Sequence, residues 1–337
     1  MSPTKSAPRG GIDLGGTKIQ AAVVESGTTN VLGQARRPTP TTGGPEAVAA
    51  EMIGAMHDSI HDAGLEDGAL VGVGVGSPGD VDEKTGAVSR ARNLPDWEGT
   101  FELGSVLAEE FDTKVRVGND VGVATEAEAK LGAGVPYDSL IGVFWGTGVG
   151  GGVVLHGEHW LGRGGAGEVG HVVVKMGGRR CPCGRRGCME AYAGRSAMEA
   201  RARKLQNKGR KTDLFKIMKK HDRDRLTSGI WERALKAKDP LTVELIDEAV
   251  EALGAGIASV VNLLDVEAVI IGGGIGVRLG EPYAKRITKK MHKHLFNADR
   301  PPDVMVAALG DFGGAIGAAL LSAEGDQKPR RRRTTAA

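Results

Sequence analysis

His171, Cys181, Cys183 and Cys188 bring one imidazole and three thiols into a single short segment, the donor set of a closed tetrahedral zinc site. They are the chain's only three cysteines, and an odd number so closely spaced suits a metal better than a disulfide framework. Three unrelated buried thiols are the alternative. A site with no open coordination position would activate no water. Its consequence would be to fix the loop that bears Glu168, His171 and Glu190, whose two carboxylates could then accept hydrogen bonds from sugar hydroxyls.

Three glycine-rich segments could approach phosphate. In Asp13-Leu14-Gly15-Gly16-Thr17-Lys18, the backbone of Gly15 and Gly16 can lie close to a polyphosphate, while Thr17 and Lys18 contact its oxygens and Asp13 holds magnesium through water. A Gly-Gly hairpin turn explains the same residues. The G-x-x-x-x-G-K spacing of a Walker loop is absent. Gly146-Thr147-Gly148 opens a run of glycines reaching Gly152, more than a hairpin needs, which favours close backbone contact with phosphate. Ile271-Gly272-Gly273-Gly274-Ile275 ends an apolar run; Gly273 and Gly274 either flank the adenosine end of a nucleotide or make a strand-to-helix turn. Asn119-Asp120 stands where a helix begins. Asp120 reads either as a helix cap or as a general base for a hydroxyl proton, with Asn119 orienting the acceptor.

These residues need elements to position them. Short apolar runs at 11–14, 19–24, 70–75, 115–117, 140–144, 152–155 and 268–271 read as strands, and they alternate with helical patterns at 45–63, 104–110, 121–130 and 241–264. In the last helix Leu245, Ile246, Ala249, Val250, Leu253, Ile257, Val260, Val261 and Leu264 recur at three- and four-residue steps, so one face is buried. The segments 12–18 and 144–152 look alike in kind. Residues 201–238 hold fourteen Lys or Arg against four Asp or Glu and read as a solvated helical insertion, with an anion-contacting surface as the alternative. Residues 1–9 and 325–337, the latter with Arg330 to Arg333, read as disordered tails.

Bulk properties set the outer bounds. A chain of 337 residues, 40% hydrophobic and 26% charged, is globular and long enough for two domains. Only 4% of residues are aromatic, which argues against base-stacking surfaces, and a net charge of +2 gives no global pull toward nucleic acid or anionic membrane. No signal-peptide-like segment or spanning apolar run is present in the sequence, so a cytoplasmic protein is expected.

Asp13 to Lys18, Asn119-Asp120, Gly146-Thr147-Gly148, Glu168-Val169-Gly170-His171 and the run from Cys181 to Glu190 together resemble the ROK family of sugar kinases and related repressors. The likeness extends from about Gly10 to Ala323. It implies an actin-like (ribonuclease H-like) α/β fold of two lobes with an interlobe cleft. The lobes would be 10–125 with a helix at 313–322, and 126–312. It also implies ATP-dependent phosphorylation of a hexose 6-hydroxyl, with Asp120 as catalytic base. Asn93, Asn119, Glu168, His171 and Glu190 would be hexose ligands, His171 using one ring nitrogen for zinc and the other for the sugar. Ser77-Pro78-Gly79 matches a sugar-facing loop. Magnesium would accompany ATP, and homodimers or homotetramers are the family's habit. Glucose is the favoured hexose, because the 168–171 and 181–190 segments, with Asn93-Leu94-Pro95 and Trp97, look most like those of bacterial glucokinases.

N-acetylmannosamine, N-acetylglucosamine, mannose and fructose kinases share these motifs, and some relatives use polyphosphate as donor. The family's repressors carry a winged-helix segment ahead of the first glycine-rich motif. Asp13 stands close to the start of this sequence, so a kinase that binds no specific nucleic acid is the expectation.

Overall fold

A computed structural model describes residues 7–91, 94 and 96–323. Asn93 and the basic run Arg330 to Arg333 lie outside the described residues. The chain forms two compact units, residues 1–127 with 311–337, and residues 128–310.

The first unit is built on β1 (Pro8–Leu14), β2 (Lys18–Glu25), β3 (Val31–Pro38), β4 (Val73–Ser77) and β8 (Val115–Asn119), in the order β3-β2-β1-β4-β8. β2 runs antiparallel to both its neighbours, β1 and β3, whereas β4 and β8 run parallel to β1. A small antiparallel sheet joins β5 (Asp80–Asp82), β6 (Ala87–Ser89) and β7 (Thr100–Phe101). Helices α1 (Gly44–Asp62), α2 (Leu103–Phe111) and α3 (Asp120–Leu131) follow strands, and the last helix, Gly313–Leu321, returns to pack on β1 and β4. That return depends on two glycines. A Cβ on Gly11 would lie 1.9 Å from the Ala315 carbonyl oxygen, and one on Gly74 would lie 1.7 Å from that of Ala318. No side chain fits at either position, so helix and sheet meet backbone to backbone. On α1, Val48, Met52, Ala55, Met56 and Ile60 recur at helical spacing and enter the core with Ile12, Leu14 and Val75.

The second unit repeats the plan. β9 (Leu140–Trp145), β10 (Val149–Leu155), β11 (Glu158–His159), β12 (Ala268–Gly272) and β13 (Asp303–Val306) stand in the order β11-β10-β9-β12-β13. The first three are again antiparallel and the last two parallel to β9. Its helices are α4 (Glu190–Ala193), α5 (Arg195–Asn207), α6 (Leu214–Lys220), α7 (Ser228–Lys236), α8 (Pro240–Leu264) and α9 (Gly273–His292). All five residues of β12 are buried, as expected for a strand between two neighbours and covered on both faces.

Three sequence expectations need correction. The strand expected at 70–75 begins at Val73, because Leu70 and Val71 form the approach to the sheet, with Val71 44% exposed. The strand expected at 152–155 begins at Val149, its three leading glycines pairing normally with Gly142 to Phe144. The basic stretch 201–238 is helical, but it is no mere solvated insertion. Ala202, Leu214, Phe215, Met218, Ile230, Trp231 and Ala234 belong to the same buried core as β9, β12 and α8. Its cations occupy the outer faces of amphipathic helices, and the count of charges hid the apolar stripe beneath them.

Two buried carboxylates hold connections in the second unit. Glu128 is 3% exposed; one oxygen accepts the N–H groups of Ala133 at 2.9 Å and Ala308 at 3.0 Å, the other that of Leu309 at 2.8 Å. Glu128→Ala is expected to lose about 2–3 kcal/mol, seen as a lower denaturant midpoint. Asp239, 4% exposed, caps α8 through the Thr242 N–H and also accepts from the Asp213 N–H and the hydroxyls of Thr212 and Thr242. Burial alone would raise its pKa, but these donors outweigh burial and hold it below the usual carboxylate value. A depressed folded pKa means that stability is present above the unfolded value and lost as pH falls through the folded one. Acid unfolding of the wild type should therefore steepen below about pH 4, and Asp239→Asn should flatten that dependence while lowering stability at neutral pH.

Candidate functional site

The four expected metal donors meet in the second unit. The ligand atoms of His171, Cys181, Cys183 and Cys188 all lie within 4.8 Å of one another. Cys183 Sγ is 3.7 Å from Cys188 Sγ, and Cys181 Sγ is 3.7 Å from His171 Nδ1. A tetrahedral zinc with bonds of about 2.3 Å to sulfur sets sulfur atoms about 3.8 Å apart, so the donor set and these two spacings fit zinc. A tight loop makes this local: Cys181 N–H donates to Arg185 O and Gly184 N–H to Cys181 O, with left-handed turns at Gly184 and Gly187. Burial pushes the Cys181 and Cys188 thiols up, while Cys183 is held below its usual value because the Arg185 N–H and the neighbouring thiols outweigh its own burial. A bound dication would favour the thiolate at all three.

The metal loop aims the residues beside it. His171 ends a short 3-10 helix, Val169–His171, held so close to β10 that a Cβ on Gly170 would lie 1.9 Å from Val149 O. Its Nδ1 faces the sulfurs, and its Nε2 lies 3.7 Å from Glu168 Oε2. A metal on Nδ1 would leave the proton on Nε2, making that nitrogen a donor. Glu190 opens α4; one carboxylate oxygen accepts the Val149 N–H at 2.9 Å and the other lies 3.7 Å from Cys181 Sγ. Gly148 makes room for it, since a Cβ there would sit 2.2 Å from Glu190 Oε2. The surplus glycine that had suggested phosphate contact thus has a packing cause at this position.

All three glycine-rich segments are turns. Gly15-Gly16-Thr17 joins β1 to β2, closed by Gly15 N–H to Lys18 O at 3.0 Å. Gly146-Thr147-Gly148 joins β9 to β10, closed by Gly146 N–H to Gly148 O at 3.0 Å. Gly273-Gly274 opens α9 after β12, with Gly273 at φ 76°. Gly16, Thr17, Lys18 and Thr147 are exposed, so backbone and side chains are open to a ligand. Sequence reading missed the anchor of the second turn. Arg195 N–H donates to Gly146 O at 3.1 Å, Ser196 N–H to Thr147 O at 3.0 Å, and Arg195 Nη2 to Thr147 Oγ1 at 2.7 Å. The signal was there: an arginine opens a helix that has no acid in its first turn.

In the first unit, Asp13, Ser77, Asn119 and Asp120 gather at one edge of the sheet. Asp13 pairs in register with Gly76, and Ser77 with Asn119, at the carboxyl ends of the parallel strands β1, β4 and β8. Ligands of open α/β sheets collect at this edge. Asn119 Oδ1 accepts the N–H groups of Val121 and Gly122, both at 3.1 Å, so Asn119 caps α3 and keeps its amide N–H₂ for other partners. Asp120 Oδ1 accepts the N–H of the next residue, Val121, at 2.9 Å. Burial pushes the Asp13 carboxyl up to about 6, with the charge of Lys18 working against it. Leu94 and Trp97, whose segment resembled that of glucokinases, are core residues, Trp97 donating through Nε1 to Val88 O.

Comparison with known proteins agrees across the chain. The ROK family matches residues 9–324. A glucokinase from Thermotoga maritima is 33% identical over 93% of this chain and 96% of its own length. An N-acetylmannosamine kinase from Haemophilus influenzae is 30% identical over 91% of this chain and 93% of its own length. A ROK family glucokinase from Streptomyces griseus, solved with glucose and AMPPNP, superposes with a TM-score of 0.80 at 31% identity, covering 94% of this chain and 100% of that one. The shared fold is the expected actin-like α/β fold.

Proposed function

The chain belongs to the ROK family, and from that premise we propose that it transfers the γ-phosphoryl group of ATP to the 6-hydroxyl of a hexose, with glucose the preferred acceptor. The observation that carries the acceptor site is the His171 ring, turned so that Nδ1 faces three sulfurs and Nε2 faces Glu168. Nε2 as donor and Glu168 as acceptor make a polar pair suited to sugar hydroxyls, and Glu190, Asn119 and Asn93 are assigned to the same ligand. The choice of glucose rests on the glucokinase relatives and on the glucose bound to the Streptomyces griseus protein.

A structural zinc is assigned to His171, Cys181, Cys183 and Cys188; when bound it supplies a fixed charge that locks the loop and the His171 tautomer. ATP phosphates are assigned to Gly15, Gly16, Thr17 and Lys18 and to Gly146, Thr147 and Gly148, its adenosine end to Gly273 and Gly274. Asp13 is assigned a water-mediated contact to the magnesium that accompanies ATP.

The chemistry asked of the protein is alignment and one proton transfer. The sugar 6-oxygen attacks the γ-phosphorus, the bond to the β-phosphate oxygen breaks with its electron pair leaving on ADP, and Asp120 takes the hydroxyl proton. Products are hexose 6-phosphate and ADP. Among the described residues no helix is long and apolar enough to cross a membrane. We place the protein in the cytoplasm beside its substrates, as a homodimer or homotetramer.

A coupled assay over glucose, mannose, fructose, N-acetylglucosamine and N-acetylmannosamine, with ATP or polyphosphate as donor, tests this reading. Glucose with ATP should give the highest kcat/KM. A higher value for an acetamido sugar would overturn the acceptor, a higher value with polyphosphate would overturn the donor, and no turnover of any hexose would overturn the activity.

A further inference from the structure

We propose that Arg195 is a phosphate ligand of the donor nucleotide, presenting its guanidinium to the terminal phosphates from the start of α5; this rests on the reading of the chain as an ATP-dependent kinase. Nothing in the motif set points to this residue. Its position does. Arg195 Nη2 donates to Thr147 Oγ1 at 2.7 Å, and its own N–H and that of Ser196 hold the carbonyls of Gly146 and Thr147. The side chain is therefore tied to the turn assigned to phosphate. One of the five donors in its planar fork is spent on Thr147, leaving others for the paired oxygens of a phosphate.

The charge around it is only partly compensated. A cation in the first turn of a helix opposes the macrodipole, and α5 carries no acid there. Arg195 makes no ion pair with a carboxylate among the described residues. The acid one turn on, Glu199, is occupied by Arg203 at 2.6 Å and by the Leu226 N–H at 3.0 Å. Burial and the like charge of Arg225 both disfavour the protonated guanidinium, and the charge of Glu199 offsets them only in part. Positive charge is thus collected at the Gly146-Thr147 turn, where the carboxylates nearest to it, Glu199 and Glu190, are each already engaged by other donors. An anionic ligand would balance that charge, and a nucleotide triphosphate on this turn is such a ligand. Arg195 neither gives nor takes a proton; it would offset the charge that builds on the phosphate oxygens as the bond to the β-phosphate breaks.

The test separates phosphate contact from structural support. AMPPNP and adenosine are titrated against wild type, Arg195→Ala and Arg195→Lys, each with intact metal content. Arg195→Ala is expected to weaken AMPPNP by at least about tenfold, leave adenosine affinity unchanged, and regain AMPPNP binding when guanidinium ion is added. Arg195→Lys should fall between, a point charge without the fork. Should Arg195→Ala not fold, Arg195→Gln, which can still donate to Thr147, gives the same comparison. AMPPNP affinity that stays at the wild-type value, or adenosine affinity that falls by the same factor, overturns the proposal. A wild type that binds AMPPNP but phosphorylates no hexose would overturn the kinase reading while leaving this contact standing.

Discussion

Asp120→Asn is expected to lower kcat for hexose phosphorylation by on the order of 10²- to 10⁴-fold while leaving ATP binding and metal content unchanged. Asp120 is the first residue of α3 at the carboxyl end of β8, and the capping role that usually explains an acid at a helix start is taken by Asn119, whose Oδ1 accepts from Val121 and Gly122. Asn119 thus carries two of the N–H groups at the start of α3, and the role this variant tests for Asp120 is the proposed one of general base. The substitution preserves size and the hydrogen bond to Val121 N–H but removes the ability to take a proton. Its pH–rate profile should lose the acidic limb expected of the wild type. A variant with near wild-type kcat would remove the assignment.

Cys183→Ser is expected to lower metal content well below the about one zinc per chain expected for wild type, and to raise the KM for glucose by at least about tenfold. Three donors hold zinc far less tightly than four, and around the cluster the loop from Val172 to Met189 is held by local backbone bonds and by Arg179, which pairs with Glu248 and Tyr192. Without the metal, His171 is free to take the other tautomer or a proton, and Glu190 loses the neighbour that fixes its second oxygen. The KM for ATP should change less, because the Gly146-Thr147 turn is anchored separately by Arg195 and Ser196. Metal analysis and glucose titration of the same preparation check both statements. Active wild-type protein without zinc would refute the structural role.

Some elements were readable because their cause is local. α8 shows an unbroken apolar stripe and an Asp-Pro start, so its extent was legible to within a residue. β3 was missed because Gln34, Arg36 and Arg37 give an edge strand the look of a polar loop. α9 was missed because Gly280 and Pro282 interrupt its pattern; the chain kinks at Gly280, with φ 61°, and resumes the helix afterwards. β13 is four residues long, and nothing in its sequence says that it pairs with β12 across more than thirty residues.

The clustering of His171 with the three cysteines and the glycine-rich turns were legible from sequence alone, since cysteine spacing and glycine runs act over a few bonds. Tertiary structure alone decided that His171 turns Nδ1 to the sulfurs, that Asn119 rather than Asp120 caps α3, that Gly148 yields its space to Glu190, and that the basic helices are half core. Each of those outcomes depends on which distant segment arrives at a given place. Packing between segments far apart in the chain settles that, and no local period encodes it.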